Sequence, residues 1–315
     1  MSRLDDELVD HTRRMDNLLG DIYPLLPYFD TKSVTNVYVY GSGSVQVDDF
    51  EKGVYDTDLI LTVSQRMRII NSLASVSDTP IDIWERPTLE SIIPKYNIRT
   101  TAIIPPWTEN PEITFRRPAE KIHTLDEYVA EGRMTQEQLS FLTSHLEKRS
   151  NIVVSGSTGS GKTTFTNALL HKMAQLTPDE RFYIVEDIPE LQCSAKNKTQ
   201  LYIRKEQAVT AIQTALRWTP KRIIFGELRS GDVAVELLEA WNTGHPGNVT
   251  TIHADNAFST ISRIQGLLRQ KIAGKLPELS WTIQLIVHLS SRPNFGPYID
   301  EIATLKELEE GSPMK

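Results

Sequence analysis

The stretch that most restricts the fold is Ile152-Val153-Val154, an apolar run that passes directly into Gly156, Ser157, Thr158, Gly159, Ser160, Gly161, Lys162, Thr163 and Thr164. From Gly156 to Thr163 the spacing is G-x-x-x-x-G-K-T, the pattern of a phosphate-binding loop. A buried strand must end here, the backbone must double back on glycines, and a helix must begin at Lys162. Successive N–H groups then point inward and the helix adds its positive dipole end, which makes the loop an anion cradle. Lys162 would meet the β- and γ-phosphates of a nucleoside triphosphate, and the Thr163 hydroxyl would ligate Mg²⁺. A chance match in a Gly/Ser/Thr-rich loop would lack both the strand and the helix, whose residues Leu169, Leu170 and Met173 are apolar.

The chain has 315 residues, 39% of them hydrophobic, which is enough for two domains with real cores. Its net charge of −7 gives no general basic surface, so direct nucleic-acid binding is not expected. Cys193 is the single cysteine, which excludes an internal disulfide framework and a Cys-based zinc module. With no apolar N-terminal segment and no long apolar run, the expectation is a cytoplasmic protein, peripheral to a membrane through its partners.

Read in order, residues 3–27 carry apolar positions at helical spacing and end near Pro24. Strands are predicted over 34–40 and 44–48, joined at Gly41-Ser42-Gly43, then a helix from Ser64 as N-cap to about Leu73. Further strands are predicted over 81–84, 98–104 and 112–116 between prolines. Residues 1–115 thus read as an α+β domain, and polar residues 116–123 as a linker. Residues 124–315 begin with two capping boxes, Thr124 to Glu127 and Thr135 to Gln138. Apolar runs at 182–185, 222–225, 249–252 and 283–289 then alternate with helical stretches, which predicts a mostly parallel sheet. The charged tail 306–315 reads as frayed.

Polar clusters close several of these runs, where an open α/β sheet gathers ligand groups. Glu186-Asp187-Ile188-Pro189-Glu190 leaves the first, and Glu186 is the expected carboxylate for metal or for an attacking water. In Gly226-Glu227-Leu228-Arg229 a glycine stands where a Walker B strand carries Asp, so Glu227 supplies the carboxylate that polarises water. His253 ends a third run and is placed to sense the γ-phosphate or Glu227. Among the arginines, Arg217, Arg222 and Arg229 in the second half and Arg99 and Arg116 in the first are candidates for charge spread over a transferring phosphoryl group. Arg217 is favoured because it precedes a sheet strand by a short turn, and whether Arg116 or Arg117 faces the ligand is open.

Together, Thr158 to Thr164, Val185 to Glu190, Gly226 to Arg229, Ala240-Trp241-Asn242-Thr243-Gly244-His245 and Thr251-Ile252-His253-Ala254-Asp255 resemble the Walker A, Asp box, Walker B and His box of the secretion traffic ATPases. Within that family the likeness is greatest to the TrbB conjugal-transfer group. The resemblance implies an α/β fold with a RecA-like P-loop C-terminal domain, a smaller α+β N-terminal domain and a homo-hexameric ring with nucleotide between the domains. It implies ATP hydrolysis with Mg²⁺ that energises inner-membrane secretion or pilus machinery proteins. Lys162, Glu186, Glu227 and His253 are its expected catalytic residues, to which Arg217 is added from its place before the strand; the loop with Arg99 and Arg116 is its nucleotide-binding set, and Thr163 with Glu186 its metal ligands. The alternatives are a type IV pilus assembly or retraction motor and a nucleotide-gated scaffold with little turnover.

Overall fold

Strand pattern separates the two halves. In the first, apolar and polar residues alternate, the signature of an antiparallel sheet with one covered face; in the second, apolar runs are unbroken, as in a sheet covered on both faces. The computed structural model describes residues 3–49, 51–117, 122–292 and 295–310. By internal contacts the chain divides into two compact units, residues 1–120 and 121–315.

The first unit contains α1 (Arg3–Asp21), α2 (Leu26–Asp30), β1 (Val34–Val39), β2 (Ser44–Asp49), β3 (Gly53–Ile60), α3 (Val63–Val76), β4 (Thr88–Ile93), β5 (Ile98–Ile103) and β6 (Glu112–Arg116). Its six strands form an antiparallel sheet in the order β3-β2-β1-β6-β5-β4. Val37, Val47, Ala102 and Phe115 pack from one face against Leu18, Ile22, Ile69 and Leu73 of the helices. Gly43 (φ 94°) closes the β1–β2 turn, where a Cβ would lie 2.4 Å from the Leu61 carbonyl oxygen. Buried Arg66 pins two loops by donating to the carbonyls of Tyr40 (2.7 Å), Gly41 (2.9 Å) and Pro111 (2.7 Å).

Several boundaries differ from the sequence expectations. The helix N-cap is Thr62, not Ser64: Thr62 and Gln65 exchange side-chain and backbone bonds in a capping box. Residues 81–84 form no strand, because Asp82 accepts from the N–H groups of Trp84 and Glu85 and folds the segment into a turn. β3 was not expected; its charged Asp56 and Asp58 obscure the strand composition. Arg116 ends β6, and Arg117 still donates its N–H to the Thr35 carbonyl. Residues 118–121 of the expected linker lie outside the described residues.

The second unit contains α4 (Leu125–Ala130), α5 (Gln136–Glu147), β7 (Ile152–Gly156), α6 (Lys162–Leu176), β8 (Arg181–Glu186), β9 (Asn197–Tyr202), α7 (Ala208–Trp218), β10 (Arg222–Glu227), α8 (Gly231–Trp241), β11 (Val249–Ile252), α9 (Ala257–Arg269), β12 (Leu285–Arg292), β13 (Gly296–Thr304) and α10 (Leu305–Glu310). The sheet order is β13-β12-β7-β11-β10-β8-β9, with all neighbours parallel except β12 and β13. One apolar layer, with Val153, Val185, Ile223 and Ile286, packs on α7, α8 and α9; the other, with Val154, Ile184, Ile224 and Val287, packs on α4, α5 and α6. The tail expected to fray forms α10 as far as Glu310: Thr304 and Glu307 cap it reciprocally, and Leu305 and Leu308 are buried. Residues 311–315 lie outside the described residues. Among the described residues no helix is long and apolar enough to cross a membrane.

Candidate active site

A strand order in which β11 separates β7 from β10 brings three strand ends to one edge. Ser155 on β7 pairs with Ile252, and Thr251 pairs with Glu227, so the phosphate-binding loop, His253 and Glu227 emerge side by side. The loop itself is built on glycines. Gly161 caps α6 with φ 81°, and a Cβ there would lie 2.6 Å from Pro297 Cβ, so the start of β13 packs directly under the helix start. Ser157, Thr158 and Gly159 form the exposed crest, while Thr163 and Thr164 are half-buried in the first helical turn.

Lys162 is buried and donates to the carbonyls of Gly156 (3.0 Å) and Ser157 (2.8 Å), so its ammonium sits inside the loop. Burial holds its pKa below the ordinary lysine value, with Glu227 opposing that shift. Inside the same loop the Ser160 hydroxyl is buried without a partner, at the spot a Cβ on Gly156 would approach to 2.3 Å. An inward ammonium, an unpartnered hydroxyl and an uncapped helix start suit a polyphosphate.

Lys162 Nζ also lies 3.3 Å from His253 Nδ1, and His253 Nε2 lies 3.1 Å from Glu227 Oε1. An ammonium can only donate, so Nδ1 accepts and Nε2–H donates to the carboxylate, which fixes the neutral tautomer. Burial and the Lys162 charge hold the imidazole below its usual pKa, consistent with that form. Glu227 Oε2 accepts from Arg229 Nη2 at 2.7 Å. Burial pushes the Glu227 carboxyl up, but the bond and charge of Arg229, with His253 and Lys162, outweigh it and leave it below its ordinary value. Arg229 Nη1 meanwhile reaches Asp187 Oδ2 at 2.5 Å.

Glu186 is placed differently from the expectation. It is buried; its Oε2 accepts from the N–H groups of Glu190 and Leu191, both at 2.9 Å, and its Oε1 from Gln200 Nε2 at 2.6 Å. It folds its own loop, and burial raises its pKa to about 7 against those bonds. The carboxylate that meets Thr163 belongs to Glu190, whose Oε2 accepts from Thr163 Oγ1 at 3.3 Å. Hydroxyl and carboxylate oxygens of this kind suit Mg²⁺. Glu190 was legible only as the last acid of the 186–190 cluster, four residues from the glutamate favoured there.

The arginines separate. Arg217, in the last turn of α7, is exposed and lies near Thr219, whose carbonyl accepts from Arg181 at the first residue of β8. That is the N-terminal edge of the sheet, a strand's length from the loop; a short turn before β10 places a residue at the wrong end of it. Arg222 is buried at the same edge, bonded to Glu180 (2.7 Å) and to the Gly247 carbonyl (2.7 Å). In the first unit Arg99 and Arg116 stand opposite each other on β5 and β6, and among the described residues neither has an ion-pair partner. Arg117 turns away, donating to the Phe29 carbonyl.

Residues 55–292 match the family described as Type II/IV secretion system protein. The chain belongs to this family. Its secretion-family relatives include the conjugal transfer protein TrbB of Rhizobium radiobacter, 34% identical over 280 residues that cover 86% of this chain and 85% of that protein. The type IV secretion system protein VirB11 of Bartonella henselae is 30% identical over 256 residues, 68% of this chain and 70% of that one. In fold, the secretion-family chain is similar to the ATPase DotB of Legionella pneumophila, with a TM-score of 0.66 at 16% identity, covering 92% of this chain and 82% of DotB. Of the expected site residues, the structure joins the phosphate-binding loop, Lys162, Glu227 and His253. Glu186 stands behind them as a support.

Proposed function

We propose that this protein hydrolyses ATP with Mg²⁺, acting as a hexameric ring that energises a conjugative type IV secretion system. The observation that carries the reading is the continuous link from Lys162 through His253 to Glu227, with ammonium, imidazole and carboxylate in bonding sequence across three strand ends. The 34% identity to TrbB favours conjugation over a pilus motor.

In this reading the glycine-rich loop and Lys162 bind the β- and γ-phosphates, and Lys162 leaves its own loop carbonyls to do so. Glu227 accepts a proton from the attacking water as the water oxygen bonds the γ-phosphorus and the bridge to the β-phosphate breaks. His253 holds the Glu227 carboxylate in place and faces the phosphate with its other nitrogen. Bound through Thr163 and Glu190, Mg²⁺ would supply charge neutralisation on the phosphate oxygens. Glu186 orders the loop that carries Glu190. Arg99 and Arg116, two guanidinium groups facing across a strand pair, take part in phosphate binding. The partners proposed are further copies of this chain and inner-membrane secretion proteins, without direct nucleic acid.

Phosphate release measured against protein concentration, with mass followed by light scattering, tests this. Activity should rise with a six-subunit species and disappear in Lys162→Ala, which loses nucleotide binding. Turnover that persists in Lys162→Ala, or that is independent of assembly, contradicts the reading.

A further inference from the structure

Both oxygens of the Glu227 carboxylate are occupied. Oε1 accepts from His253 and Oε2 from Arg229. Each oxygen keeps a second lone pair, but a guanidinium bonded to the carboxylate stabilises the anion and so weakens it as a base; releasing that cation strengthens it. Of the two partners Arg229 is the cation, and so the one an anionic phosphate draws. Its side chain is 41% exposed, and it lines a cavity of about 90 Å³ with Ile203, Ala208, Phe225 and Val233, so it is not packed in place. Its second nitrogen bonds Asp187, so one guanidinium bridges the ends of β8 and β10. Arg229 also lines one pocket with Thr163 of the first helical turn, Glu190 and Glu227, which places it beside the phosphate seat.

We propose that Arg229 is a positioning residue through which the site distinguishes triphosphate from diphosphate: it clasps Glu227 to Asp187, and a γ-phosphoryl oxygen draws it off both. This rests on the reading of the loop as an ATP site. A nucleoside diphosphate has no oxygen at the γ position and leaves the clasp closed. A triphosphate competes for the guanidinium, which prefers a bidentate anion. Once it moves, Glu227 has lost its bonded cation and is the stronger base for the attacking water. Asp187 is then the competitor of the γ-phosphoryl group for one cation.

The test is a nucleotide-binding cycle on the full chain, with ADP and a non-hydrolysable ATP analogue titrated into wild type, Asp187→Asn, Arg229→Lys, Arg229→Ala and the Asp187→Asn/Arg229→Ala pair. Removing the competitor should tighten the analogue by about fivefold and leave ADP unchanged. The gain should vanish in the Arg229→Ala background and survive in part in Arg229→Lys. ADP binding serves as the control for folding in every variant. Equal effects on both nucleotides, or a gain that persists without Arg229, overturn the clasp while leaving the ATP site intact. Wild type that binds neither nucleotide overturns both.

Discussion

The ends of β8 and β10 lie side by side, each delivers a glutamate, and the two are treated in opposite ways. Glu186 is buried and bonded by two backbone N–H groups and an amide, all neutral donors, and burial drives its pKa up to about 7. Glu227 is half-buried, but its donors include a guanidinium, and its pKa falls. Burial acts upward on both; the charge of the donor decides which stays an ionised base. Glu186 therefore serves as a fixed anchor for the loop that brings Glu190 to Thr163, and Glu227 as the group that meets water. The same contrast accounts for Gly226. At the residue where a Walker B strand carries Asp, a Cβ would come within 3.1 Å of Glu186 Cβ. A side chain there would press on the anchor, so the carboxylate is carried one residue later.

The comparison breaks most visibly in turnover. Glu227→Gln keeps the size and the bond to His253 but loses the base, and steady-state phosphate release should fall by about 10²–10⁴-fold with nucleotide affinity retained. A rate near wild type would remove Glu227 from its role.

Glu186 should show itself in stability instead. Its folded pKa lies above its unfolded value near 4.5, so folding favours the protonated form. The contribution is fully present below pH 4.5 and is lost as pH rises to about 7. Glu186→Gln cannot titrate. Relative to it, wild type should lose roughly 3 kcal/mol between pH 4.5 and pH 8, with most of the change below pH 7.5, read from melting temperatures in metal-free buffer. Parallel pH profiles for the two proteins would show that the carboxyl is not perturbed. Smaller still is Gly226→Ala, expected to cost about 1–2 kcal/mol through crowding of Glu186. Combining it with Glu186→Gly, which removes the crowded Cβ, should give less than the sum of the two losses.

The phosphate-binding loop was fully legible because its chemistry requires glycines and one lysine at fixed spacing. Glu227 and His253 were legible because each ends an apolar run, and parallel strands gather such ends at one edge. The role of Glu186 was not, since a carboxylate that folds its own loop and one that holds a ligand have the same sequence signature. Separating them requires knowing that the backbone of Glu190 and Leu191 returns to Glu186. Arg217 was misplaced for a topological reason: proximity in sequence to the start of β10 puts it at the edge opposite the loop. In the fold, β3, β4, β9 and β13 were missed, all four with charged or polar residues interleaved among the apolar ones, whereas the strands with unbroken apolar runs were found within a few residues.

The most direct measurement is single-turnover cleavage at saturating ATP and Mg²⁺, run side by side on wild type, Glu227→Gln and Glu186→Gln. Glu227→Gln should hold ATP uncleaved, slowed by about 10²-fold or more, and Glu186→Gln should lose much less at saturating metal. Cleavage at the wild-type rate in Glu227→Gln, with the larger loss in Glu186→Gln, would contradict this and return the catalytic role to the buried glutamate.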